Sequence, residues 1–261
     1  MKISIASYAF HGLLGEGKMD IFGYLESCKY RYGLDAADIW NGTFGPAGVD
    51  EAHIRKVRQA LDEKEMSVAN LCVDGAHLWE DDPAAREKNY KNALSNLKAA
   101  EILGAKTVRI DMGGKGEQLS NEQFDYVVKR YQEYAKRAAN NGYRVGPETH
   151  WGPSLTVEVM DKVRKAVDNP AYGILLHIGH WNGGPAMEDK GDRLLAPWTV
   201  HTHVDARITG SCLEEKMKIL IEAGYKGYWG VEHHSAKNEY SEVAWQVVMV
   251  RRQLARLANP A

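Results

Sequence analysis

Short runs of apolar and β-branched residues recur about every thirty positions along the chain, each bounded by turn residues and followed by a longer amphipathic stretch. Eight such runs are legible, over residues 2–7, 34–40, 67–73, 107–111, 143–148, 173–177, 199–204 and 228–232. The stretches between them predict helices over 50–66, where Ile54, Val57 and Leu61 share a face, and over 83–103, which places a proline in the first turn. Further helices are predicted over 121–140, 155–167, 213–223 and 240–257, whereas the Gly- and Pro-rich crossover 182–197 is the weakest helix of the series. Gly33, Gly104, Gly142 and Gly224 stand just ahead of strands, where glycine permits the left-handed cap that ends a helix.

Alternation of this kind implies parallel strands joined by right-handed crossovers, and eight units in 261 residues close naturally into one (β/α)8 TIM barrel, a single domain over 1–261. The competing doubly wound sheet would usually carry a Gly-rich fingerprint after an early strand. Here the first strand leads into Ser7-Tyr8-Ala9-Phe10, which is not one.

Composition narrows the partner. With 33 Lys+Arg against 35 Asp+Glu, the formal net charge is −2, which offers no long-range attraction for nucleic acid or an anionic membrane. A small, neutral or weakly charged molecule fits better. The opening apolar run, Ile3 to Phe10, is too short to span a membrane and lacks the features of a secretion signal, so a cytoplasmic location is expected. Cys28, Cys72 and Cys212 are odd in number and form no CxxC pair, so buried inert thiols are expected rather than disulfides or a thiolate metal site. The oligomeric state stays open, a homo-oligomer included.

Seven of the ten histidines follow residue 149, and they fall at strand ends. His150 follows Glu148 after strand five, His177 and His180 close strand six, His201 and His203 lie on strand seven, and His233 and His234 follow Glu232 after strand eight. A parallel barrel delivers every strand's C-terminal end to one rim, where barrel active sites are assembled. Residues two apart share a strand face, which groups Glu148 with His150, and His201 with His203 and Asp205. Imidazole nitrogens and carboxylate oxygens on neighbouring strands suit a divalent cation. Aromatic residues Tyr8, Trp40, Trp79, Trp151 and Trp181 flank the same rim and could cover the C–H face of a sugar. Arg109 and Asp111 share a face and are expected to pair, and the Gly113-Gly114-Lys115-Gly116 loop reads as a flexible lid.

The segments Pro147-Glu148-Thr149-His150-Trp151, His177-Ile178-Gly179-His180-Trp181-Asn182, His201-Thr202-His203-Val204-Asp205 and Gly230-Val231-Glu232-His233 resemble the metal-site strands of the xylose isomerase-like TIM-barrel superfamily. That superfamily holds sugar isomerases, ketose epimerases, inosose-processing enzymes and AP endonuclease-type nucleases. The resemblance implies metal ligands Glu148, His177, His203 and Glu232, with Glu148 and Glu232 as the acid–base pair. It also implies substrate contacts from His180 and Arg207, joined at the rim by His150, His201, Trp151 and Trp40.

Two positions depart from the sugar epimerases: His177, where Asp is usual, and Asp38, where Glu is frequent. The nucleases draw further histidines from strands two and three, which here supply Asp38, Asn70, Cys72 and Asp74, with His77 only in the loop beyond. The expected activity is therefore a metal-dependent isomerisation or epimerisation of a ketose, keto-sugar or polyol. The alternatives are a lyase, dehydratase or hydratase on the same site, and a non-catalytic sugar-binding barrel or subunit. Replacing Asp by His at 177 makes the ligand set richer in nitrogen, which favours Mn, Co, Zn, Fe or Ni over Mg.

Overall fold

Strand β1 runs over Ile3–Ile5, β2 over Ala36–Trp40, β3 over Ser67–Val73, β4 over Thr107–Ile110, β5 over Arg144–Gly146, β6 over Ile174–His177, β7 over Thr199–Val204 and β8 over Trp229–Val231. These eight are the predicted strands, trimmed at their ends where the chain turns toward a helix. A computed structural model describes residues 2–258. All pairings are parallel, in the orders β1-β8-β7-β6 and β2-β3-β4-β5. The two halves meet at single bridges, Ala6 with Asp38 on one side and Val145 with Tyr172 and Glu148 with Leu175 on the other, which closes a (β/α)8 barrel. Register shifts at Ala37/Asp38 and Ile174/Leu175 sit on the strands that form these seams. Such bulges bend a strand and re-aim its side chains.

The helices are α1 His11–Gly15, α2 Ile21–Glu26, α3 Glu51–Glu63, α4 Pro83–Leu103, α5 Asn121–Asn141, α6 Val157–Val167, α7 Pro185–Leu195, α8 Ala206–Ser211, α9 Leu213–Glu222 and α10 Glu239–Ala258. Their limits follow local chemistry. Asp82 caps α4 ahead of Pro83, Ser120 and Gln123 form a reciprocal capping box on α5, and Gly104 and Gly142 end these two helices with left-handed backbone. The crossover judged weakest holds α7, started by Pro185 at its first turn. The first crossover is built from the short α1 and α2, which the sequence reading did not resolve. Among the described residues no helix is long and apolar enough to cross a membrane.

Outward-facing strand residues such as Ile5, Ile39, Val108, Ile110, Val204 and Val231 are buried under the helices. The barrel interior is polar instead. Thr107 donates to Asn70 (2.8 Å), Asn70 donates to the Asp38 carboxylate (3.0 Å), and Asp38 meets the imidazoles of His201 and His203. Except for His201 Nδ1, which has no partner, these buried groups are paired, which avoids the cost of about 1–3 kcal/mol for an unsatisfied polar group. Gly230 makes room for them: a Cβ there would lie 2.9 Å from the Asp38 carboxylate and 3.0 Å from His201 Nε2.

Candidate metal centre and cleft

Glu148 leaves the end of β5 through its bridge to Leu175, and its backbone N–H donates to Asp111 (3.2 Å). His177 closes β6, its N–H donating to the Thr149 hydroxyl (2.9 Å) while that hydroxyl donates to the His177 carbonyl (3.1 Å). His203 faces inward from β7, and Glu232 follows β8 with its N–H on the Val204 carbonyl (3.0 Å). These four side chains each bring one atom to a common point, all within 4.8 Å of one another. His203 Nδ1 lies 2.8 Å from Glu148 and 3.2 Å from Glu232; His177 Nδ1 lies 3.3 and 3.4 Å from the same two carboxylates. Ligands about 2.1 Å from a tetrahedrally held ion are spaced about 3.4 Å apart, so the donor set fits a divalent cation in both chemistry and spacing.

The outer nitrogens are also provided for. His203 Nε2 is 3.2 Å from Asp38, and His177 Nε2 is 3.9 Å from Asp205. The Asp38 carboxylate behind His203 fixes that ring and raises its basicity as a ligand, whereas Asp205 stands beyond hydrogen-bond distance of His177 and acts on it through charge alone. Electrostatics reflect the crowding. Burial disfavours charge on every member, yet the neighbouring imidazoles hold Glu148 and Glu232 well below the usual carboxylate range. Burial opposes charge on His177 too, but Asp205, Glu148 and Glu232 outweigh it and push its pKa up to about 9. His203 is raised in the same way by Glu232, Glu148 and Asp38. Such protons are the ones a cation would displace.

Above the cluster a cleft of about 190 Å³ is lined by Ala6, Tyr8, Trp40, Cys72, Asp74, Arg109, His150, Glu232 and His234. A larger hollow, about 640 Å³, opens at the opposite end of the barrel beside Lys106, Tyr143, Arg144 and Lys226. It lies against the strands' N-terminal ends, the face that serves stability in this fold, and none of the four clustered residues lines it.

Of the expected substrate contacts, the structure brings His150 and Trp40 to the cleft wall. His150 Nδ1 pairs with Asp111 (2.9 Å), and Trp40 donates to Asp74 (2.7 Å). His180 is partly exposed, its ring 4.8 Å from that of His177 and its Nδ1–H donating to the Thr149 carbonyl (2.9 Å). Trp151 stands at the rim, 37% exposed, edge-on to His77.

Neither His180 nor Trp151 lines the cleft, and two further expected contacts are turned away from it. His201 is fully buried on Asp38, one layer beneath the cluster, because two residues along a strand is also one layer down the barrel. Arg207 is occupied elsewhere, donating to the Gly179 carbonyl (2.8 Å) and to Glu188 (3.0 Å). Gly179 is thereby held from both sides, since its N–H donates to Asp192 (3.1 Å).

Three smaller expectations also change. Trp79 and Trp181 are packing residues: Trp79 lies under the Arg86 guanidinium, and Trp181 donates to Asp192 (2.9 Å). The Gly113 loop is pinned at its start, since it bridges Trp79 and a Cβ on Gly113 would meet the Trp79 carbonyl at 2.3 Å. Cys28 and Cys72 are buried thiols, pushed by burial up to about 12 and about 11, but Cys212 is partly exposed. The expected Arg109–Asp111 pair is present (3.0 Å) and forms part of the cleft.

His234 went unassigned in the sequence, although the two-residue period that links Glu148 to His150 also links Glu232 to His234. Its Nε2 lies 3.1 Å from Glu232, and its ring stacks on that of His177 at 5.4 Å. Asp192, on the helix that follows the His177–Asn182 turn, braces that turn and is held in place by Lys216 of α9; neither residue carries a local signal.

The fold and its four-residue cluster place the protein among metal-binding TIM barrels. The sequence model of the xylose isomerase-like TIM barrel family matches residues 30–246, and the chain belongs to that family. Among curated proteins no sequence relative matches. Solved structures with the same fold include 3-keto-D-glucoside 4-epimerase, YcjR, from E. coli (18% identity, 97% of this chain and 99% of that one, TM-score 0.74). Others are D-allulose 3-epimerase from Methylomonas sp. (14%, 97% and 98%, 0.75) and the probable 3-DHS dehydratase AsbF from Bacillus anthracis (14%, 100% and 100%, 0.73). At these identities the likeness is one of fold.

Proposed function

We propose that the protein is a divalent-metal-dependent isomerase or epimerase acting on a ketose, keto-sugar or polyol by removing a proton next to a carbonyl. The observation that carries this reading is the pair Glu148 and Glu232, two carboxylates converging on one cation-sized cluster beneath a small cleft. A cation held by Glu148, His177, His203 and Glu232 would supply Lewis-acid polarisation of a carbonyl and its neighbouring hydroxyl.

The two glutamates are held differently. Glu148 is 2% exposed, with one oxygen on the histidines and the other 3.3 Å from Arg109 Nε. Glu232 lines the cleft and places Oε2 among His177, His203 and His234, which leaves Oε1 for a proton of the bound molecule. Removal of a proton on one face of a planar intermediate and return on the other inverts the centre, which is epimerisation; return to the neighbouring carbon is isomerisation.

A second reading has one specific support, the two-His, two-Glu donor set in place of a carboxylate-richer one: a dehydratase or lyase, in which the same deprotonated intermediate expels a β-oxygen substituent. The nitrogen-rich set also supports Mn, Fe, Co, Ni or Zn rather than Mg as the working ion. The 1–261 chain is read as one barrel domain.

Metal-loaded protein incubated with a ketose panel in deuterium oxide tests the reading. Solvent deuterium should enter the carbon next to the carbonyl, and Glu148→Gln and Glu232→Gln should each slow this by about 10²–10⁴-fold per bound metal ion, with metal content measured in every sample because both glutamates belong to the donor set. Undiminished exchange in both variants removes these acids from the mechanism.

A further inference from the structure

Arg109 projects from β4 into the cleft and is 5% exposed, so its guanidinium is almost wholly desolvated. Its Nη1 donates to Asp74 (2.8 Å) and Asp111 (3.0 Å), and its Nε faces Glu148 at 3.3 Å without forming an aligned hydrogen bond. Nη2 donates to no atom of the described residues. Asp74 is half-exposed at the mouth. One of its oxygens accepts from Arg109 and the other from the Trp40 indole (2.7 Å), so the carboxylate is fixed in direction while each oxygen keeps acceptor capacity. Trp40 is fixed in turn by an edge-on contact with Tyr8, and Tyr8 stacks on His11.

From this arrangement we infer that Asp74 and Arg109 are a substrate-binding pair that reads adjacent hydroxyls at the non-reacting end of an uncharged, monosaccharide-sized molecule, while Tyr8 and Trp40 cover its C–H face. The inference rests on the proposed function and narrows its substrate class.

Charge and size set the class. Arg109 is the one lysine or arginine lining the cleft among the described residues, and three carboxylates already surround it. His150 and His234, the other basic groups of the wall, are paired with Asp111 and Glu232, so a phosphate or carboxylate at the non-reacting end of the substrate would find no unpaired cationic side chain and would meet Asp74 at the wall. A hydroxyl suits both partners, since it donates to Asp74 and accepts from Arg109. At about 190 Å³ the cleft is smaller than the roughly 300–1,000 Å³ of drug-sized sites, which limits it to a single ring or a short chain. The aromatic pair presents an apolar surface with polar edges, as a sugar's faces and rim require.

The test uses metal-loaded protein and a panel of neutral ketohexoses, their 6-phosphates and the matching keto-uronates, with binding followed by calorimetry and turnover by deuterium exchange. Neutral members should bind at least tenfold more tightly than either anionic series. Asp74→Asn, a substitution at a half-exposed position, should raise KM for neutral substrates about tenfold with kcat largely kept, and should narrow the gap to the uronates, as expected for a lost charge-assisted hydrogen bond. Arg109→Lys keeps the charge but loses the planar fork, and should raise KM similarly without altering metal content.

Preferred binding of phosphates or uronates overturns the inference, as does an unchanged KM in Asp74→Asn. Exchange confined to anionic sugars would defeat it and leave the proposed function standing. Tight, Asp74-dependent binding of neutral sugars without exchange would do the reverse.

Discussion

The His203 imidazole bridges two buried carboxylates, with Nδ1 2.8 Å from Glu148 and Nε2 3.2 Å from Asp38. Glu148 belongs to the cation-sized cluster and Asp38 does not, so Asp38 acts behind the ring: it directs the Nε2–H and leaves Nδ1 as the ligand atom.

Asp38→Asn should therefore weaken metal binding by about 10–100-fold, the usual cost of losing a carboxylate behind a ligating histidine. Competition against a chelator of known strength measures this directly. Unaltered affinity would show that His203 is oriented without Asp38.

Substitution at His177 should change which ion works best. His177→Asp adds a carboxylate in place of an imidazole, so activity with Mg²⁺ should rise relative to Mn²⁺, Co²⁺ and Zn²⁺ when stripped protein is reconstituted with each ion in turn. If the ranking of ions is the same in both proteins, His177 does not set the choice.

Metal-stripped protein should lose stability as pH rises. Burial opposes protonation of His177, but Asp205, Glu148 and Glu232 raise its folded pKa to about 9, above its ordinary value near 6.5. The charged imidazole thus stabilises the stripped fold fully below about pH 6.5, and that contribution fades as pH passes through about 9. Melting temperatures of stripped protein should fall across this window, while metal-loaded protein, its ligands already deprotonated, should not show the same slope. Parallel curves for the two forms would contradict this.

Lys216 ties α9 to α7 through Asp189 (2.7 Å) and Asp192 (2.8 Å), and Asp192 in turn holds Gly179 and Trp181 beside His177. Lys216→Met leaves the buried Asp192 carboxylate without its counter-charge and should cost about 3–5 kcal/mol in denaturant unfolding. A loss below about 1 kcal/mol, the range of surface pairs, would show that the network is not a stabilising one.

The eight strands, most of the long helices and the gathering of histidines and glutamates at one rim were legible in the sequence because each rests on a local rule, whereas the choice of Glu148, His177, His203 and Glu232 among them came from the resemblance to the xylose isomerase-like family. Period-two burial marks a strand, a glycine marks a helix end, and a parallel barrel sends every strand's last residue to one rim. Those rules say which residues arrive at the rim, not how deep each one sits. Only the tertiary structure placed His201 a layer below His203, turned Arg207 onto Gly179, buried Trp181 against Asp192 and gathered Asp74, Arg109 and Trp40 onto one wall. The physical reason is that depth within the barrel depends on the register between neighbouring strands, including the shifts at Ala37/Asp38 and Ile174/Leu175. Partner choice depends likewise on side chains far apart in the chain, such as Arg109 and Asp74 or Lys216 and Asp192. Neither register nor long-range pairing leaves a periodic trace in the sequence, and both are settled only when the interior is packed and every buried charge has found its counterpart.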